Sequence, residues 1–163
     1  PFRGFYQVSA NWVNFDGQTA FIRAALNGDI TLMRLLLEHG ADPDIKTYEG
    51  SNALMAAAGL NWVVAQTYSR SDDEYLQAVK LCIEKGNDIH AVNNQGFTAM
   101  HGATNRGFDK MVQLLADHGS KLDVKDKQGR TPMTFAEGVF LAVQPPVRKP
   151  NTIALLEKLM NSK

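Results

Sequence analysis

The sequence is short of cysteine, of charge imbalance and of long apolar runs, and each shortage removes a class of protein. Cys82 is the only cysteine, so an internal disulfide framework and a multi-cysteine metal site are both excluded. A chain without disulfides fits either redox compartment. Lysine plus arginine total 17 and aspartate plus glutamate total 17. A zero balance argues against nucleic-acid binding by bulk charge. Neither Gly-x-Gly-x-x-Gly nor the Walker pattern occurs, so no glycine-rich phosphate loop is present. Residues Ser51–Ser69 carry no charge, yet Asn52, Asn61, Gln66 and Thr67 interrupt them, which rejects a membrane span. No secretory signal opens the chain. It starts at Pro1 rather than methionine, so we expect a processed or cut product, and the missing signal leaves the compartment of this soluble chain, cytoplasmic or periplasmic, unassigned.

What remains is globular composition, 44% apolar and 21% charged, too apolar for a disordered tail. Charge is uneven along it. Residues 1–94 hold 7 basic and 11 acidic side chains, and residues 95–163 hold 10 and 6. Solvated faces account for such a split, and a polar gradient that orients a partner is the sharper reading.

The chain repeats itself. Gly17-Gln18-Thr19-Ala20-Phe21 returns as Gly50-Ser51-Asn52-Ala53-Leu54, as Gly96-Phe97-Thr98-Ala99-Met100 and as Gly129-Arg130-Thr131-Pro132-Met133. These glycines stand 33, 46 and 33 residues apart. His39-Gly40-Ala41-Asp42 keeps the same beat through Lys85-Gly86-Asn87-Asp88 and His118-Gly119-Ser120-Lys121. The unit is therefore 33 residues, and one copy carries 13 more. A fixed period of this size signals a stacked array.

Each unit reads as two short helices and a turn. Thr19 is a helix N-cap before Ala20-Phe21-Ile22. Paired alanines, as at Ala57-Ala58, let helices approach closely. Gly28 and Gly107 permit the turn between helices. Second helices are expected at Ile30–His39, Leu76–Lys85 and Phe108–His118, closed by Gly40, Gly86 and Gly119 in the left-handed conformation.

The period together with Gly-x-Thr-Ala-Met-His at 96–101 and His-Gly-Ala-Asp at 39–42 resembles the ankyrin repeat. The closest look is to bacterial ankyrin-repeat proteins with expanded inter-helix turns. The resemblance implies an all-α solenoid of stacked helix-turn-helix units with short β-turn connections, stabilised by nearest-neighbour interfaces. We expect a single domain over residues 1–163, with units at about 16–48, 49–94, 95–127 and 128–163. Insertions fall at 61–73 and 141–151, on one edge, and the last unit is a C-terminal cap. Asn61 and Phe140 replace the turn glycine. Residues 1–15 hold Phe2, Phe5, Tyr6, Trp12 and Phe15 and match no unit. We expect them to cover the first one.

Chemistry is thin. Cys82 falls at the core position of Leu36 and Leu115. His39 and His118 suit the ends of second helices. His101 takes a position that, by the resemblance, links neighbouring units by hydrogen bonds, and His90 stands beside a turn. No two histidines are four apart, so no metal is expected, and no cofactor. Asp72-Asp73-Glu74 precede a helix start, where negative charge is favoured. A catalytic or small-ligand notch built from Trp62, Asp72, Asp73 and Arg148 is the least supported reading.

The resemblance implies recognition of a protein partner on the concave face, with no nucleic acid, no membrane insertion and no enzymatic activity. The matching turn positions are Phe15, Asp16, Gln18, Tyr48, Glu49, Ser51, Asn94, Gln95, Phe97, Lys127, Gln128 and Arg130, with Asn105 and Arg106 at a helix end. Tyr48, Phe97, Arg106 and Arg130 stand out, because exposed aromatics and arginines dominate interface energetics. Trp62 is a separate candidate. The alternative is a structural or assembly subunit, or a regulatory domain of a larger protein, self-associating through the N-terminal aromatics and the two insertions.

Overall fold

In the computed structural model, the described residues are 13–61, 70–141 and 145–162. They form four successive helix pairs: α1 (Ala20–Leu26) with α2 (Ile30–Glu38), α3 (Ala53–Ala57) with α4 (Asp72–Glu84), α5 (Ala99–Arg106) with α6 (Asp109–Asp117), and α7 (Pro132–Glu137) with α8 (Pro150–Asn161). No strand occurs among the described residues. The inner helices α1, α3, α5 and α7 follow one another, and α2, α4, α6 and α8 form the outer row. This is the all-α stacked array that the resemblance implied. None of these helices is long and apolar enough to cross a membrane.

The local rules explain each start. Thr19, Asn52 and Thr131 cap α1, α3 and α7 by accepting the amides of Ile22, Met55 and Thr134. Asn52 thus does the work of the threonine it replaces. The Asp72 helix begins earlier than its pattern suggested. Ser71 caps it and Glu74 reaches back to the Ser71 amide, closing a capping box. Asp72, Asp73 and Glu74 fill its first turn, the place a helix dipole favours carboxylates. Hydrogen bonds from Ser71, reinforced by Arg70, hold the Glu74 carboxyl below its ordinary range.

Left-handed glycines punctuate the chain as expected: Gly28 and Gly107 between helices, and Gly40, Gly86 and Gly119 after them. Asn61 stands in the same place as Gly28 and Gly107 and also takes a positive φ, 68°. Asparagine is the residue that best tolerates this conformation without glycine. Its Oδ1 accepts the Val13 amide at 3.2 Å, so it joins the entering chain to the second pair.

Between pairs the packing is close. A Cβ on Gly102 would come within 2.5 Å of the Leu60 nitrogen. Only glycine lets α5 approach α3 this closely. One continuous core runs through the stack, with Phe21, Met33, Leu54, Tyr75, Met100, Met111, Leu115, Phe135 and Leu156 fully buried. Cys82 belongs to it, and burial pushes its thiol up to about 12. It is a structural cysteine. Trp62 and residues 1–12 lie outside the described residues, as does most of the first insertion.

Candidate functional site

The expected partner face begins at the turns before α1, α3, α5 and α7. The turns before α3, α5 and α7 share one build, whereas at the first turn the equivalent Asn14 is exposed and accepts the Asp16 amide. Thr47, Asn93 and Asp126 are buried, and their amides donate to the carbonyls of Ser51, Phe97 and Arg130. The side chains complete the closure. Thr47 Oγ1 accepts the Ser51 amide, Asn93 Oδ1 accepts those of Gln95 and Phe97, and Asp126 Oδ1 accepts those of Gln128 and Arg130.

The turns are then joined to one another. The Tyr48 amide donates to the Asp16 carbonyl at 2.9 Å, Asn94 to Glu49 at 2.8 Å, and Lys127 to Gln95 at 2.9 Å. Asn93 Nδ2 adds a bond to Ser51 Oγ at 3.0 Å. This main-chain ladder fixes the spacing of the tips, with Asn94 Nδ2 adding a bond to the Tyr48 carbonyl at 3.4 Å. Asp16, Gln18, Tyr48, Asn94, Lys127 and Gln128 are exposed, and Glu49, Gln95 and Asn105 are half-buried. Phe15 and Ser51 are buried. Tyr48 is 82% exposed and its ring lies over Gly17, where a Cβ would meet it at 2.6 Å. The ring is thus both displayed and seated.

Three of the four prominent candidates are corrected. Phe97 was expected at the surface and is 4% exposed. It turns inward because Asn93 and the ladder hold the tip, leaving its ring to pack edge-on against His101 and Phe135, 5.7 and 5.8 Å away. Arg130 is largely committed. Its Nε donates to Asp126 Oδ2 at 2.7 Å, and its guanidinium lies 5.0 Å from the Phe135 ring centre. The Arg106 side chain is only 9% exposed. Its guanidinium stacks 3.8 Å over the Tyr75 ring and pairs with Asp72 at 3.5 Å. Burial lowers its pKa, and Tyr75 and Asp72 oppose that shift. Arginine at helical and turn spacing looks like surface in a sequence. Here the aromatic partners Tyr75 and Phe135 capture it by stacking.

The histidines are accounted for. His101 Nδ1 accepts the Thr98 amide at 3.1 Å, and Nε2 reaches the Arg130 carbonyl at 3.4 Å in the next pair. It does link neighbours, and burial depresses its pKa to about 4, so it is neutral near pH 7. His39 and His118 follow their helices and place Nδ1 2.9 and 2.8 Å from the carbonyls of Leu35 and Leu114. His90 lines a groove of about 190 Å³ with Ile89, Val92 and Val124, below the size of a drug-like ligand site. Asp72 and Asp73 belong to the helix start described above, and Arg148 is exposed.

Sequence reasoning missed Asp126 and Asn93, the buried side chains that tie the tips. The available signal was their recurrence with Thr47 three residues before each tip glycine, a position that needs a side-chain acceptor.

Known proteins point the same way. A family model described as ankyrin repeats (3 copies) matches residues 4–66 and again 67–139. The chain is 30% identical over 113 residues to the ankyrin repeat and SOCS box protein 16 of Mus musculus, covering 69% of this chain and 24% of that protein. It is 28% identical over 116 residues to the human ankyrin repeat and KH domain-containing protein 1, covering 70% and 4%. It is 26% identical over 134 residues to the putative ankyrin repeat protein L86 of Acanthamoeba polyphaga mimivirus, covering 74% and 23%. The chain therefore spans 24% or less of each of these relatives. All three are animal or viral, and so lend nothing to a bacterial resemblance.

Proposed function

Since the chain belongs to the ankyrin repeat family, we propose that it is a non-enzymatic module that binds a protein partner through its tip face. Ankyrin repeats are in general protein–protein interaction modules. The finer reading concerns which surface this chain uses. The observation that supports it is the ladder. It holds four tips in register through main-chain atoms and leaves Tyr48 exposed over Gly17. A seated aromatic loses little entropy on binding, and tyrosine is enriched among interface anchors.

The binding set is Asp16, Gln18, Tyr48, Glu49, Asn94, Gln95, Asn105, Lys127 and Gln128. Phe97, Arg106 and Arg130 leave it, because the fold uses them. Along the tips, charge runs from Asp16 and Glu49 to Lys127. A partner therefore presents cationic groups toward the first two tips and an anionic group toward the fourth.

Affinity capture from source-cell lysate with quantitative mass spectrometry tests this. A specific partner should bind the wild-type chain and a Lys80→Ala control on the outer row, and be lost from Tyr48→Ala/Lys127→Ala. A partner retained by the tip variant and lost from the control would place recognition on the outer helices instead.

A further inference from the structure

Equivalent loops lead from the outer helices to the next tip, at 41–46, 87–92 and 120–125. The first two are closed by their own side chains. Asp42 Oδ1 accepts the Asp44 amide and Asp88 Oδ1 accepts the His90 amide, both at 2.8 Å. Asn87 plugs the junction between these two loops. Its Nδ2 donates to the Pro43 carbonyl at 3.0 Å and to Asp44 Oδ1 at 3.1 Å, and its Oδ1 accepts the Leu54 amide at 3.1 Å.

The third loop departs at both positions. Ser120 stands where Asn87 stands, and Lys121 where Asp42 and Asp88 stand. Serine is too short to bridge the junction, and a lysine side chain has no acceptor to offer the chain. The Asp123 amide is left without a hydrogen bond among the described residues. The turn present at 43–44 and 89–90 is missing at 122–123. Ser120 is 1% exposed, and neither its hydroxyl nor Lys121 Nζ has a hydrogen bond or ion pair among the described residues. The facing wall changes as well. Val92 takes the place of Lys46 and Lys125 and is 51% exposed. With Ile89 and Val124 it walls the groove of about 190 Å³ that Ser120 and Lys121 also line. All of these residues are described and lie in the middle of the array.

We propose that this groove takes a short segment of a protein partner in which a leucine-sized aliphatic residue stands beside an aspartate or glutamate. The aliphatic side chain lies among Ile89, Val92 and Val124. The carboxylate accepts the Asp123 amide and pairs with Lys121, a charge-assisted contact. The chain supplies its own precedent, because Asp42 and Asp88 place a carboxylate on the equivalent amide in the first two loops. The exposed carboxylate of Asp123 does not bar the contact, since Asp42 and Asp44 stand together in the first loop. On the facing loop, His90 replaces the aspartate found at 44 and 123, which removes one repulsion from an acidic segment. The proposal rests on the reading of the chain as a protein-binding module but not on the tip face, so its failure leaves the role of Tyr48 untouched.

Amide and methyl NMR of the full chain, titrated with the acetylated and amidated dipeptides Leu-Asp and Asp-Leu, tests the proposal. At least one should give saturable shifts at the Asp123 amide and at the methyls of Ile89, Val92 and Val124, in the millimolar range. The Leu-Asn and Asn-Leu counterparts should bind at least about tenfold more weakly. Lys121→Asp and Ser120→Asn rebuild in the third loop what the first two already have, so both should fold. Each should lower the affinity by about tenfold or more and leave the spectrum of the first unit unchanged. Tyr48→Ala should bind the dipeptides as the wild type does. No saturable shift with either acidic dipeptide overturns the proposal, as does equal binding of the asparagine dipeptides or an affinity indifferent to both loop variants. Loss of binding in Tyr48→Ala would move the contact to the tips, and the same shifts from acetate alone would reduce the groove to an anion contact. Either result also overturns the proposal.

Discussion

The two edges of the solenoid solve the same problem with different atoms. At the tip edge, main-chain amides and three buried side chains, Thr47, Asn93 and Asp126, do the holding. At the opposite edge, where the helices of each pair turn over, the exposed-looking polar residues are themselves the fasteners. Arg70 pairs with Asp29 at 2.7 Å and with Glu74 at 3.1 Å. Arg106 lies on Tyr75, and Tyr75 in turn packs against Gly28. Asn61 takes a glycine's conformation and binds the Val13 amide. At the second edge Gly28 and Gly107 keep the regular turn in the first and third units, while Asn61 and Phe140 replace it in the second and fourth, so side chains there supplement backbone regularity. The lesson is that a charged or aromatic residue is available for recognition only where something else already holds the chain.

Phe97 gives the largest test of that contrast, because it sits at a tip and yet serves the core. Phe97→Ala should destabilise by about 4 kcal/mol, the cost of emptying a buried aromatic site, measured by urea unfolding. A loss below about 1 kcal/mol would return Phe97 to the surface and dissolve the distinction between tip backbone and tip side chain.

His101 extends the test to pH. Its folded pKa is depressed to about 4 from an ordinary 6.5. Between those values the unfolded chain binds more protons, so stability rises with pH across the window. It is lost as pH falls from about 6.5 toward 4, by up to about 3 kcal/mol from this group. The depressed Glu74 carboxyl acts in the same direction at lower pH. His101→Gln should flatten the decline above pH 4 in thermal unfolding profiles. An unchanged profile would remove His101 as its source.

Arg106 probes the other edge. Arg106→Ala should cost about 2 kcal/mol, from the lost stack on Tyr75 and the packing of its stem. At the tips, Lys127→Ala should stay within about 0.5 kcal/mol. Equal costs, read from paired urea titrations, would mean that both edges use their cations alike.

These residues also mark what a sequence can tell. The period, the glycines after second helices and the threonine caps were readable because each is a local rule repeated at a fixed distance, whereas the linking role of His101, which occurs in one unit, came from the resemblance to the ankyrin repeat. Asn61 was readable as a departure, and its positive φ follows from its residue type. The inward turn of Phe97 was not, because it depends on Phe135 and His101 arriving from other helices. Nor was the burial of Arg106, which depends on Tyr75, 31 positions earlier in another unit. Candidate contact residues were thus legible by position along the repeat, whereas their exposure was set by partners distant in sequence.

Tyr48 should show the smallest stability effect and the largest functional one. Its ring covers Gly17, but its amide, not its ring, carries the ladder bond to Asp16. Removing the ring therefore leaves the ladder intact and uncovers a glycine that already prefers its own positive φ. Tyr48→Ala should shift unfolding by no more than about 0.5 kcal/mol while partner binding falls by tenfold or more, the scale of about 1.4 kcal/mol at an anchor. Calorimetry on the captured partner, alongside urea titration, reads both quantities. A stability loss above about 1.5 kcal/mol would make Tyr48 a fastener like Arg106, and an unchanged affinity would remove it from the binding face.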